Sequence, residues 1–530
     1  MRKRIWPALA VMACLLHGAD PTADGKRWWS HILYLADDKM EGRLTGSEGY
    51  RKAAVYVAGE FERSGLKAGG TSGYFQPVKF KSREIVEEGS RLALVRGGRE
   101  EPVRLGEDAT INVRVDPAGS IDAPLVFAGY GLTVPEMQFD DLAGLDLRGK
   151  IAVFFSGGPS SIPGALSSHY QSGDERGVFL SSAGVVGTCV VANPAGMDVP
   201  WARSSLARFQ PAMSLVNPGI DPDGRLRISV TINPEHLDKW LAGSGHTASE
   251  LVALAKDRKP LPHFALDSRL KATVEARRTE VESPNVVAIR AGSDAKLKDE
   301  YVVLSAHLDH LGIGRPINGD AIYNGAMDDA SGVATLLEIA QQLHETRANL
   351  RRSVLFAVVA GEEKGLLGSK YFARHPTVKA EQIVADINVD MFLPLFPLRI
   401  LTVYGLDESD LGKQARAVAE PLGIAVQRDL EPERNIFIRS DQYNFIRQGV
   451  PSLFFKVGYT KGSPEEAIVK QWLKERYHAP SDDVHQPVDL KAAADFNRVM
   501  LLLTEAVANQ DARPQWNPDS FFRRFATKTP

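Results

Sequence analysis

Tyr301-Val-Val-Leu-Ser-Ala-His-Leu-Asp309, Asn324-Gly-Ala-Met-Asp-Asp-Ala-Ser-Gly332, Ser353-Val-Leu-Phe-Ala-Val-Val-Ala-Gly-Glu-Glu363 and Ile383-Val-Ala-Asp-Ile-Asn-Val-Asp390 follow one another within residues 301–390. Three of these segments begin as short apolar runs, the pattern of strands buried on both faces. Each run ends in residues that bind metals: His307 and Asp309, Glu362 and Glu363, Asp390. An open α/β sheet builds its site in this way, at the carboxyl ends of its strands. The remaining segment carries Asp328 and Asp329 into a helix whose Val333, Leu336, Leu337, Ala340 and Leu343 form one apolar face.

Outside that stretch the chain sets limits. Its 530 residues, 44% hydrophobic, can bury a large core and suit two domains. A formal net charge of −3 gives no argument for nucleic acid or an anionic membrane surface as partner. Arg2-Lys3-Arg4 followed by an apolar run from Ile5 to Leu16 reads as a signal peptide over residues 1–20, too short to span a bilayer. The expected location is therefore export: periplasm, cell envelope or secretion. Val11-Met12-Ala13 before Cys14 is similar to a bacterial lipobox, so Cys14 is a candidate lipid anchor. The other cysteine is Cys189, read as a small buried hydrophobe in a body with no internal disulfide.

Taken in order, residues 21–112 read as the N-terminal part of the main domain. Helices are expected over Arg27 to Leu35 and Ser47 to Ser64, with Gly42 to Gly46 an irregular loop between them. Residues 113–262 change to short strands and many turns and carry no ligand pair, which predicts an inserted β-rich domain. Residues 263–510 return to the main domain, entering through the alternation of Leu270, Ala272, Val274 and Ala276. Residues 511–530 read as a polar tail on the surface.

The candidate site residues are His307, Asp309, Asp328, Asp329, Glu362, Glu363 and Asp390, with Tyr477-His478 opening a later polar loop. Imidazole and carboxylate without thiolate suit Zn²⁺, Mn²⁺ or Co²⁺. The set is too large for one tetrahedral ion, whereas two ions sharing a bridging carboxylate use five side chains and a water. Such a pair can clamp both the attacking and the leaving oxygen of a hydrolysis. In Glu362-Glu363, successive side chains on an extended segment face opposite ways, so one can ligate while the other serves as general base.

On Ser305-Ala-His-Leu-Asp309, Asn324 to Gly332, Gly361-Glu-Glu363, Asn388-Val-Asp-Met391 and Tyr477-His478 the chain resembles the M28 metallopeptidases, the co-catalytic zinc aminopeptidases and their glutamate-carboxypeptidase relatives. The resemblance covers about 285–510 and, more loosely, 27–112. The inserted region resembles a protease-associated domain through Ala128-Gly-Tyr-Gly131 and Asp146-Leu-Arg-Gly-Lys150. It implies a three-layer α/β/α sandwich with a mixed, mostly parallel sheet, two Zn²⁺ per chain, and hydrolysis at the N-terminus of peptides. It assigns His307 and Asp390 to one zinc, Glu363 and His478 to the other, and Asp328 to both. Glu362 becomes the general base, Asp309 the group that holds the His307 imidazole, and Tyr477 a donor to the oxyanion. Met327 and Gln442 depart from the family pattern, which has an acidic residue and a histidine there. Alternatives on the same scaffold are a carboxypeptidase using Arg434 and Arg439, a single-zinc glutaminyl cyclase, and a non-catalytic receptor-like relative.

Overall fold

The computed structural model describes residues 21–528, apart from 198, 218 and 220–225. The signal segment and Cys14 lie outside the described residues. The strands Ser353–Val359, Tyr301–His307, Ile383–Val389 and Ser452–Val457 lie side by side and parallel at the centre of a ten-stranded sheet. The flanks turn antiparallel: Ala276–Arg290 pairs with Ser353–Val359, and Ile400–Tyr404 with Ser452–Val457. The sheet is therefore mixed, with parallel order concentrated where the site is built.

Two-residue periodicity divides these central strands between two apolar layers. Val302, Leu304, Ala306, Val354, Phe356 and Val358 join one large core, while Val303, Leu355, Ala357 and Val359 face a smaller one. The helices Pro21–Leu35, Glu48–Arg63, Ser331–Glu345 and Leu490–Asn509 cover the first face. Leu367–Arg374 and Gln442–Ile446 cover the second through Phe372 and Phe445. This is the expected α/β/α sandwich. Glu48–Arg63 starts on Ser47, whose hydroxyl accepts the Tyr50 amide, close to where periodicity set it.

The second unit hangs from the end of a long ribbon. Phe75–Ile85 pairs antiparallel with Ala276–Arg290 along its full length, from Phe75 opposite Val286 to Ile85 opposite Ala276. Between those ends the chain builds a separate eight-stranded sheet whose strands run from Arg91–Arg96 to His263–Thr273. Residues 91–112 and 263–273, expected in the main domain, thus pair in the second sheet. The alternation of Leu270 and Ala272 was a true strand signal, but periodicity does not say which sheet a strand joins. In the other direction, Ala212–Leu215 leaves the insert and pairs with the ribbon edge at Phe80 to Arg83. Cys189 is buried and unpaired. The tail is less polar in practice: Trp516, Phe522 and Phe525 pack with Ile438, Tyr443 and Ile446.

Candidate metal centre

His307 ends its strand, Glu362 and Glu363 follow Ser353–Val359, and Asp390 follows Ile383–Val389, so three neighbouring strands deliver side chains to one spot. Asp328 comes in from the turn before the helix Ser331–Glu345, and His478 from the loop after the helix Pro464–Glu475. Asp390 is followed by Met391 at φ +53°, and His478 itself sits at φ +54°. Left-handed backbone at non-glycine residues is costly and tends to collect at functional positions.

Asp328 stands between two sets of donors. Its Oδ1 is 3.3 Å from His307 Nε2, which is itself 3.8 Å from Asp390 Oδ1. Its Oδ2 is 3.3 Å from His478 Nε2, which is 3.3 Å from Glu363 Oε2. His307, Asp328 and Asp390 are almost wholly buried. His307 Nδ1 faces the Asp309 carbonyl at 3.0 Å, so Nδ1 carries a proton and Nε2 is the nitrogen turned to the carboxylates. The resemblance gave this holding role to the Asp309 side chain. In the structure the Asp309 backbone holds the imidazole, while its carboxylate accepts from Thr45 Oγ1 and the Glu362 amide, both at 3.0 Å.

Burial works against charge on His307, yet Glu362, Asp328 and Asp390 hold its imidazole well above the ordinary value. Burial likewise raises Asp390, but Lys456 and His307 hold it down at about 2. For Glu362, burial and the Asp390 and Glu363 carboxylates together push the acid well up. So much buried negative charge calls for cations.

The donor set fits zinc. Asp329 Oδ2 is buried with no hydrogen-bond partner among the described residues, and Glu363 Oε1 is buried 2.7 Å from His310 Nδ1. The clustered donors (His307 with Asp329 and Asp390, His310 with Asp328 and Glu363) are imidazole nitrogen and carboxylate oxygen only. His307, Asp328 and Asp390 would hold one ion; Asp328, Glu363 and His478 a second. Glu362, 3.9 Å from His307 Nε2, makes no side-chain hydrogen bond among the described residues. Tyr477 lies against His478, ring centroids 3.9 Å apart and planes tilted by 34°, and faces the same space.

Several supporting residues escaped sequence reading. His310 Nδ1 lies 2.7 Å from Glu363 Oε1 and 3.8 Å from Asp328 Oδ2, directly behind the second donor set. It stands one place beyond Asp309, and its clustering with His307 was the available signal. Asp482 accepts the backbone amides of Met327 and Asp328, each at 3.0 Å, and so fixes the bridging loop. Arg43, wholly buried in the supposed irregular loop, donates to the carbonyls of Leu35, Leu308, Asn324 and Gly325. Gln442 acquires a role too: its Oε1 accepts from Asn388 Nδ2 at 2.8 Å and its Nε2 donates to Phe437 O at 2.8 Å. It thereby anchors the strand end two residues before Asp390. Asp329 caps the helix at Gly332 N and holds Met391 N at 3.0 Å, a bracing role beside the donors.

Two spaces meet at Glu362, Arg434, Arg439 and Tyr477. One is a chamber of about 140 Å³ reaching over the strands Ile400–Tyr404 and Ser452–Val457. The other is a cleft of about 1240 Å³ running out between the main domain and the insert.

Residues 285–504 match peptidase family M28. The chain is 28% identical over 227 residues to aminopeptidase Y of Saccharomyces cerevisiae, covering 42% of this chain and 37% of that protein. It is 35% identical over 138 residues to aminopeptidase NAALADL1 of Mus musculus, covering 25% of this chain and 17% of that one. The matches thus span well under half the length of these relatives. Among solved structures, an aminopeptidase from Aneurinibacillus sp. strain AM-1 aligns with a TM-score of 0.57 at 19% identity, covering 95% of this chain and 99% of that one. That likeness is one of fold, and it extends through the insert.

Proposed function

We propose that this M28 zinc aminopeptidase-like chain is an exported metallo-exopeptidase that removes residues from the N-terminus of peptides at a two-zinc centre. The observation that carries the proposal is Asp328, with its two carboxylate oxygens turned to separate donor sets. Zinc, when bound, polarises the scissile carbonyl and acidifies the attacking water. The chain's own groups do the rest. Glu362, whose side chain makes no hydrogen bond among the described residues and stands 3.9 Å from His307 Nε2, takes a proton from that water and returns it to the leaving nitrogen. Tyr477, next to His478 and facing the chamber, donates to the oxygen on which charge develops. The small chamber on one side of Glu362 and the large cleft on the other suit one terminal residue and a following peptide.

The five ligating side chains favour two zinc ions over the single ion of a cyclase, and the complete donor set with Glu362 favours an enzyme over a receptor. For a carboxypeptidase, Arg434 is already paired with Glu431 at 3.0 Å. A panel of aminoacyl-anilides and N-blocked peptides, with and without chelator, tests the reading. Anilide turnover abolished by chelator and restored by zinc is expected; cleavage confined to N-blocked peptides would overturn it. Export rests on the basic and apolar N-terminus. The mature protein from its host should begin at Cys14 if lipidated and near residue 20 otherwise; an intact Met1 by N-terminal sequencing would contradict this.

A further inference from the structure

The chamber beyond the metal ligands has an unusual far end. Thr402 pairs with Lys456 on one side and with Gln427 on the other, so Asp429 stands level with Tyr404 on the next strand line. Between the strand that delivers Asp390 and the line carrying Asp429 lie three strand spacings, about 14 Å in all. Leu393, Phe454, Val469 and Leu473 supply the apolar part of the walls along that path, with Lys456 Nζ lying 4.9 Å from the centre of the Phe454 ring and Arg434 and Arg439 also lining the space.

The charges in this space are mostly accounted for. Lys456 donates to the Asp390 carbonyl at 2.6 Å and lies 3.6 Å from its carboxylate. Glu431 is paired with Arg434. Asp429 accepts the Glu431 amide at 2.8 Å, but no cation stands within ion-pair distance of it among the described residues. Tyr404 is 6% exposed and lines the chamber beside it. A half-buried carboxylate without a cation, beside the Tyr404 phenol and at the far end of a partly apolar passage, is the complement of a long side chain with a cationic tip.

Resting on the aminopeptidase reading, we propose that the chamber receives the side chain of the N-terminal residue and that Asp429, with Tyr404, selects lysine or arginine there. The stem of such a residue lies along Leu393, Val469 and Leu473, and its charge reaches Asp429, the carboxylate at the far end that has no cation within ion-pair distance among the described residues. A short or branched terminal residue leaves Asp429 facing an empty apolar passage.

The test compares lysyl-, arginyl-, norleucyl-, leucyl- and glutamyl-anilides on the zinc-loaded full chain. Norleucine keeps the lysine stem and drops the charge. We expect kcat/KM for lysyl and arginyl substrates to exceed that for norleucyl by about tenfold or more. Asp429→Asn should bring the lysyl-to-norleucyl ratio towards unity, and Asp429→Lys should move preference towards glutamyl. Zinc content and circular dichroism of each variant are measured alongside, and the wild-type panel does not depend on them. Anilide turnover with norleucyl or leucyl equal to lysyl, or an unchanged ratio in folded Asp429→Asn, overturns this proposal while leaving the aminopeptidase reading standing. No turnover of any aminoacyl-anilide overturns both.

Discussion

Glu362 and Glu363 are neighbours in sequence with opposite surroundings, and that contrast separates their tasks. Glu363 lies 3.3 Å from His478 and 2.7 Å from His310 inside one donor set; Glu362 stands on the His307 side with its carboxyl unengaged. Glu362→Gln should keep the bound zinc and cut kcat by roughly 10²–10⁴, with KM little changed, since it removes a proton acceptor and no coordinate bond. Glu363→Gln should lose or weaken one zinc and recover partly at high added zinc. Metal content measured beside kinetics decides; zinc lost from Glu362→Gln and retained in an inactive Glu363→Gln would reverse the roles. Arg43 is a second case at this scale. Its guanidinium satisfies four carbonyls, two of them in the bridging loop at Asn324 and Gly325. Arg43→Met should cost roughly 3–5 kcal/mol of stability and weaken zinc, by denaturant unfolding and metal titration. Of the proposed ligands, His307, Glu363 and Asp390 were legible because each stands at the end of a strand pattern, while Asp328 and His478, in a turn and a loop, were legible through the family resemblance. Arg43, Asp482 and His310 were not, because a residue that braces a site through backbone amides and carbonyls leaves no periodic trace in the sequence.

Secondary-structure elements were read well where burial repeats and poorly where it does not. Strands buried on both faces show as unbroken apolar runs, and the helix after Ser331 shows as a stripe. The tail after Asn509 has no such repeat, yet Phe522 is 1% exposed against Ile438 and Tyr443, in the segment that also carries Arg439 and Gln442. Phe522→Ala should destabilise by about 3–5 kcal/mol in denaturant unfolding, and lower activity through that segment; a loss under about 0.5 kcal/mol, the range of neutral surface changes, would mean the tail merely rests on the surface. In the insert, burial favours a protonated Asp108, but Lys239 at 2.8 Å, the Arg104 amide and His236 at 2.6 Å hold its carboxyl down at about 2. A folded pKa below the ordinary 3.8 stabilises above that value, and the contribution is lost as pH falls from about 4 to about 2. The stability gap between wild type and Asp108→Asn should close over that range in thermal unfolding; a gap unchanged at pH 2 would contradict the assignment.

At the scale of the whole molecule, the chain is a sandwich that makes the site and an insert that stands beside its mouth. The boundary was misjudged by some twenty residues at the front because Arg91–Arg96 and Arg99–Val103 are ordinary hairpin strands that either sheet could accept. What assigns them is the ribbon of Phe75–Ile85 on Ala276–Arg290, a pairing between segments nearly two hundred residues apart, which no local pattern reveals. The cleft between the units is lined from both, by Asp174 and Glu175 of the insert and by Lys364 and Arg447 of the sandwich. Substitutions in the insert's share of that lining should alter selectivity between long and short peptides more than turnover of a single-residue anilide; equal loss on both, with folding intact, would count against this. The central claim is that Asp328 is shared by two metal ions, and zinc stoichiometry tests it most directly. Elemental analysis of the purified, active chain should give close to two zinc equivalents, while a value of one that added zinc does not raise would contradict the account.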